Sequence, residues 1–360
     1  MDFLKDFKKD LDKIGLSEGS SEPPKYWYST GNFVLNKVIS GSVYGGIPQG
    51  RITGLVGPSG AGKSFIASNI MREAQKQGAY LVTLDSENAL DDDFVSKIGV
   101  NVKEDYTYVP VDTIPQVQKV VSSFLTGYKS EYGDDPDAPQ VLITLDSLDM
   151  LITETEEENF RKGVTKGDQG QRNKQLKAML RQFVQAIKHH NIAMVVTDQV
   201  YKNQDVMNGE GVWMVKDAIK YSLSQVIMLT KLKLRETGSR EVEGIRMKCE
   251  GYKTRFTKPF QTVTIEVPYD TGMDPYNGLL DVAVELDILK KGGSYFTYND
   301  DTKFQKKTFT PEIGDLILGD IEAKRDAFLE AIVNRDDEVV DKQETGKSRR
   351  QAKFTQEEQE

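Results

Sequence analysis

The residues Gly57–Ser64, GPSGAGKS, carry the densest chemistry in the chain. Their glycines let consecutive backbone N–H groups turn toward one point, and a helix starting directly after them adds positive potential there. The result is a cradle for phosphate oxygens, built from Gly57, Pro58, Ser59, Gly60, Ala61, Gly62, Lys63 and Ser64. Lys63 brings a point charge to the β- and γ-phosphates, and Ser64 brings a hydroxyl ligand for Mg2+. The ligand implied is a nucleoside triphosphate. A second group belongs with these. The apolar run VLITLD ends at Asp146, and a buried strand of that kind delivers a carboxylate to the metal or its water shell. A third place is YLVTLDSENAL, residues 80–90, where Asp85 and Glu87 follow an apolar run. A carboxylate at such a strand end can accept a hydrogen bond from the water that attacks a γ-phosphate. Position alone does not choose between Asp85 and Glu87.

The elements that must hold these groups alternate in type. RITGLVG reads as a strand and residues 64–77 as a helix; AYLVTL, QVLITLD and NIAMVVT read as further strands. Between the last two, Leu176, Met179, Leu180, Phe183, Val184 and Ile187 recur at helical spacing and make one apolar face. Strands alternating with helices predict an α/β fold with a mostly parallel sheet covered on both faces. QVIMLTKLKLRE and EGIRMKCEG, then QTVTIEV, extend that sheet antiparallel. Beyond it, LLDVAVELDILKK reads as a helix, GGSYFTYN as a turn and strand, and DIEAKRDAFLEAIV as a closing helix. At the other end Phe3, Leu4, Phe7, Leu11 and Ile14 make a short amphipathic helix before the linker SEGSSEPPK. The division expected is an oligomerisation helix and linker at 1–28, a core at 29–270, a small α+β subdomain at 271–333, and a disordered charged tail at 334–360.

Bulk properties exclude several classes. No apolar run in the 360 residues is long enough to span a bilayer, and the N-terminus has acids where a signal peptide has an apolar stretch. One cysteine, Cys249, excludes an intramolecular disulfide and a Cys-rich metal site. A cytoplasmic protein without membrane contact is the expectation. The net charge of −9 opposes nucleic-acid binding by the whole surface but leaves room for a local basic channel. His189 and His190 end a helix with no evident partner.

The motifs also resemble a known family. YSTGNFVLNKVISGSVYGGIPQGRITGLVGPSGAGKS is similar to the entry of the ATPase core of RecA-family recombinases. LVTLDSENALDDDFVSKIGV, VLITLDSLDML, VVTDQVY and YKTRFTKPF continue the likeness in order, and GMDPYNGLLDVAVELDIL is closer to phage recombinases of the UvsX type. The likeness covers roughly residues 28–300 and implies roles. Glu87 rather than Asp85 matches the family's catalytic carboxylate. Gln199 matches the residue that senses the γ-phosphate and relays to DNA. Asp91 and Phe94 fall where the family contacts and stacks on adenine, and Phe94 replaces the usual aromatic hydroxyl. Lys253 and Arg255 match a basic pair that reaches the nucleotide of the adjacent subunit.

Two polar segments stand where the family has its DNA-binding loops, roughly Thr153–Gln171 and Tyr201–Lys220. Their candidate contacts to the phosphate backbone are Arg161, Lys162, Lys166, Arg172 and Lys174, then Lys202, Lys216 and Lys220. Trp213 and Met214 are placed to insert against bases. The acidic run Glu154–Glu158 is expected off the DNA path or paired with a neighbouring base. The function implied is an ATP-dependent recombinase, a DNA-dependent ATPase. It would form a helical homo-oligomeric filament on single-stranded DNA and exchange strands with homologous duplex in recombination, repair and recombination-dependent replication. A single-strand-binding protein and a loading mediator would be its partners, in a host cytoplasm if phage-encoded. The acidic ending TQEEQE is interrupted by KSRRQAK, so the family's tail regulation is not carried over. The rival readings are a hexameric helicase on the same core, which needs an N-terminal domain that residues 1–28 do not supply, and a non-catalytic mediator, against which Lys63, Glu87 and Asp146 stand.

Overall fold

Strands in the middle of the chain are apolar at nearly every position rather than at alternate ones, as expected of strands covered on both faces. The computed structural model describes residues 7, 10, 13, 23–133, 135–164, 170–202, 213–235 and 242–329. A short antiparallel ribbon pairs β1 (Trp27–Tyr28) with β2 (Ile47–Pro48). There follow β3 (Ile52–Gly57), β4 (Tyr80–Asp85), β5 (Tyr106–Pro110), β6 (Val141–Asp146) and β7 (Ile192–Gln199). Next come the ribbon β8 (Tyr201–Lys202) and β9 (Trp213–Met214), then β10 (Gln225–Leu234), β11 (Gly244–Lys253) and β12 (Thr262–Pro268). The main sheet has the order β12-β11-β10-β3-β7-β6-β4-β5. From β10 to β5 neighbours run parallel; β10-β11 and β11-β12 are antiparallel, the extension read from the sequence.

Strand β7 shows how the sheet divides two cores. Ala193 and Val195 face the cluster that holds Ile66, Ile70 and Met71 of the helix Lys63–Lys76. Ile192, Met194 and Val196 face the opposite cluster, with Val117 and Val121 of the helix Ile114–Tyr132 and Leu176, Leu180 and Phe183 of the helix Gln171–Ile187. Alternate residues of one strand therefore bury into different layers. Helix starts follow local chemistry. Asn32 accepts from Leu35 N at 2.9 Å to open Phe33–Ser40, and Thr113 with Gln116 forms a capping box at Ile114–Tyr132.

Three expectations need correction. Thr153–Gln171 is not one irregular loop, because Glu154–Arg161 is helical. Thr153 and Glu156 form a capping box at its start, and its first turn is acidic, which suits the helix dipole. The helix expected over 279–291 stops at Glu285; Asp287 takes a left-handed φ of 54°, and the chain enters β13 (Leu289–Gly292). With β14 (Tyr295–Tyr298) and β15 (Thr302–Gln305) this forms an antiparallel three-stranded sheet, followed by helical residues 311–329. The ring of His190 packs edge-on to Tyr128, with centroids 5.8 Å apart, so it does have a partner. Residues 330–360 lie outside the described residues, as do 1–22 apart from 7, 10 and 13, so the expected tail and most of the expected N-terminal helix fall there. Among the described residues no helix is long and apolar enough to cross a membrane.

Candidate nucleotide site and polar loops

The phosphate cradle is held in shape by what surrounds its glycines. A Cβ on Gly57 would lie 2.3 Å from the carbonyl oxygen of Leu229 on β10, and Gly62 has a φ of 94° with Met247 Cε 2.3 Å from its would-be Cβ. Both positions exclude a side chain, so the loop stays tight against the sheet. Ala61 is fully buried and its N–H donates to Pro58 O at 3.1 Å; Ser59 and Gly60 are exposed. Gly62 caps the helix whose first residues are Lys63 and Ser64. The ammonium of Lys63 donates to Gly57 O and Pro58 O, both at 3.2 Å. Burial lowers its pKa, against the field of Glu87 foremost, then Asp146, Asp198 and Asp149. Those carboxylates therefore share one electrostatic neighbourhood with the cradle.

Strand register assembles the rest. Gly57 pairs with Gln199 across β3-β7, and Asp85 pairs with Asp146 across β4-β6. Strand β4 is thus not beside β3; β7 and β6 stand between them. Asp146 is 1% exposed, and its Oδ1 accepts from the hydroxyl of Thr197. Its Oδ2 is buried without a hydrogen-bond partner among the described residues. Burial raises the pKa of Asp146, while the hydroxyls of Ser64 and Thr197 pull it back. A buried carboxylate oxygen without a partner beside the Ser64 hydroxyl is an all-oxygen donor set, which fits Mg2+.

The two acids at the end of β4 take opposite environments. Asp85 is 2% exposed and accepts from Glu87 N at 3.0 Å, Leu90 N at 2.8 Å and the Tyr108 hydroxyl at 3.2 Å. It ties its own loop together. Glu87 is exposed, and its Oε1 accepts from Ser147 Oγ at 2.5 Å. Ser86 donates to Ser147 O at 2.7 Å and accepts from Ser147 N at 2.9 Å, so the loops after β4 and β6 are clasped. Ser86, Ser147 and Thr197 were not singled out from sequence. The available signal was their position, each beside a site acid or one turn of pleat away from Gln199.

Residues 16–274 match the family model described as the RecA N-terminal domain. The chain belongs to the RecA family. It is 29% identical to Protein RecA of Rickettsia bellii (strain RML369-C) over 276 residues, 75% of this chain and 74% of that one. It is 29% identical to Protein RecA of Thermus aquaticus over 308 residues, 82% and 83% of the two chains. Against Protein RecA of Chloroherpeton thalassium (strain ATCC 35110 / GB-78) it is 28% identical over 274 residues, 76% and 72%.

Around this RecA-family core the remaining candidate residues fall into distinct settings. Asp91 caps the helix Asp92–Ile98 by accepting from Phe94 N at 2.8 Å, and the Phe94 ring is half-buried against the core. Arg161 and Lys162 pair with Glu157 and Glu158 at 2.5 and 3.3 Å, so two acids of the run find bases at the end of their own helix. Lys174 is exposed. Lys166 lies outside the described residues. At the stem of the second polar segment, Lys202 pairs with Trp213 and Tyr201 with Met214 across β8-β9, and the Lys202 ammonium sits 5.2 Å from the centre of the Trp213 ring. The Lys220 ammonium lies 5.7 Å from the Tyr221 ring. Lys253 donates to Lys220 O at 2.8 Å and Leu223 O at 2.7 Å at the end of the helix Asp217–Ser222, while Arg255 is exposed. Arg172 and Lys216 turn inward onto carbonyls and carboxylates rather than out along the loops.

Proposed function

We propose that this chain is an ATP-dependent recombinase that assembles as a filament on single-stranded DNA and pairs that strand with homologous duplex. One observation carries the reading. Lys63, Ser64, Glu87, Asp146 and Gln199 lie together at the C-terminal ends of β3, β4, β6 and β7, and the two polar segments depart just after β6 and β7. Nucleotide state and loop position are thereby attached to the same strand ends. A single-strand-binding protein and a loading mediator complete the set of partners, and the UvsX-type phage likeness belongs to the same reading.

In this reading the cradle N–H groups and Lys63 bind the triphosphate. Lys63 exchanges its contacts with Gly57 O and Pro58 O for phosphate oxygens. Ser64 and Asp146 would hold Mg2+, which when bound supplies neutralisation of phosphate charge. Ser147 holds one oxygen of the Glu87 carboxylate, and the other takes a proton from the attacking water as its oxygen bonds to the γ-phosphorus and the bond to the bridging oxygen breaks. The Gln199 side chain, at the end of the strand beside the cradle, registers whether the terminal phosphate is present. Lys253 and Arg255 serve the nucleotide of the neighbouring subunit.

The test is ATP turnover with and without single-stranded DNA, beside a joint-molecule assay with homologous duplex. Strong stimulation by the strand together with joint molecules is the expected result. Turnover indifferent to DNA would overturn the reading.

A further inference from the structure

Four charged side chains from four different parts of the chain meet behind the strand ends. The Lys216 ammonium contacts Asp149 Oδ1 and lies 3.1 Å from Asp198 Oδ1. Arg172 lies 3.9 Å from the Asp149 carboxylate, and its guanidinium also donates to Leu151 O at 2.7 Å, Leu148 O at 3.2 Å and Asp149 O. Asp149 follows β6, and Asp198 is the residue before Gln199 on β7. Arg172 lies in the first turn of the helix by which the first polar segment returns to the core, and Lys216 precedes the helix by which the second returns. Each return limb thus contributes one cation, and both reach Asp149.

Burial decides what these cations can do. The Asp198 side chain is 3% exposed, and those of Lys216, Arg172 and Asp149 are 23%, 24% and 27% exposed. Were Lys216 to swing out to a DNA phosphate, Asp198 would be left as an unpaired buried carboxylate, which is strongly unfavourable. Arg172 would abandon its hydrogen bonds to three carbonyl oxygens.

We propose that Arg172 and Lys216 are positioning residues rather than DNA contacts, and that Asp149 is the shared anchor fixing the return limbs of both polar loops to the strand ends of the nucleotide site. The proposal rests on the reading that these loops hold single-stranded DNA, but its first test does not.

That first test is hydrogen exchange on the free full-length protein. Asp149→Asn keeps the shape of the side chain and removes its charge. Exchange should rise at residues 170–176 and 213–219 together. A rise in only one limb, or in neither, overturns a shared anchor.

The second test measures single-stranded DNA binding with a non-hydrolysable ATP analogue over a range of salt. Asp149→Asn should weaken binding, by a factor on the order of ten for residues sharing one ion network. A simple loss of negative charge near DNA predicts the opposite sign, so tighter or unchanged binding overturns the proposal. Lys216→Gln should weaken binding with the slope of log K against log salt unchanged. A slope shallower by about 0.7, the signature of one lost phosphate contact on a single strand, overturns it. If Lys216→Gln does not fold, Lys216→Gln/Asp198→Asn removes both buried charges together and gives the same readout. A parent protein that binds no single-stranded DNA would refute the proposed function, while the exchange experiment would still decide the anchor.

Discussion

At the scale of single residues, the two acids at the end of β4 show how far pattern reasoning reaches. Both are carboxylates, both follow the same apolar run, and nothing in their spacing separates them. What separates them is the backbone: the N–H groups of Glu87 and Leu90 converge on Asp85, and Glu87 is left outside with Ser147. Glu87→Gln should therefore keep ATP binding and lose turnover by about 10²-fold or more, the usual worth of a general base, as read by nucleotide titration beside steady-state rates. Asp85→Ala should instead destabilise the fold by about 3 kcal/mol, since it strands buried donors, and denaturant unfolding would measure it. Asp198 was invisible for a different reason: its partner Lys216 lies across the second polar segment, and its other neighbour, Asp149, lies on a different strand end. Burial pushes the carboxyl of Asp198 up to about 6, against the pull of Lys216. Between the ordinary carboxylate range and that value the folded state holds a proton that the unfolded chain has released, so this residue's contribution to stability falls as pH rises through the window. Asp198→Asn removes that fall. Its stability relative to the parent should improve from pH 4 to pH 6, in unfolding midpoints taken across that range.

At the scale of elements, the legible parts were those with a sustained period. The helix carrying Leu176, Met179, Leu180, Phe183 and Ile187 was read from its spacing, and the buried strands from their uninterrupted apolar runs. The helix Glu154–Arg161 buries no residue, so it has no apolar stripe to announce it; only its capping box does. Thr153→Ala should cost about 1 kcal/mol of local stability and raise exchange through that helix, leaving the Lys63–Lys76 helix unchanged. The end of the helix at Glu285 was missed because Leu286, Ile288 and Leu289 extend a plausible apolar face beyond it, while the stop lies in the backbone of Asp287. The cradle makes the sharpest demand on an element. Gly62→Ala puts a Cβ on a left-handed residue and against Met247, so it should abolish nucleotide binding in titration calorimetry even where the protein folds.

For the whole molecule, the proposed sharing of nucleotide between neighbours has a direct consequence. A variant lacking Glu87 and one lacking Arg255 damage different halves of such a site. Mixed in equal amounts with single-stranded DNA, Glu87→Ala and Arg255→Ala subunits should turn over ATP faster than either alone, because some junctions combine two intact halves. Rates that simply average would show that each subunit acts on its own nucleotide. The fold class and the other seven strands of the main sheet were open to reading, but the edge strand β5 was not read. The spatial order of the strands was not, since the insertion of β7 and β6 between β3 and β4 leaves no local mark.

That arrangement also bears on how such a chain can drift. Adjacent strands stand about 4.8 Å apart, so the ladder from β3 through β7 and β6 to β4 acts as a ruler between the cradle and Glu87. A core side chain may be exchanged for another of similar bulk without moving any mark on it. Deleting one residue within a strand would shift a mark by a full pleat and turn it to the opposite face. Relatives at 28–29% identity are what such a ruler permits. Lettering is negotiable along these strands, and counting is not.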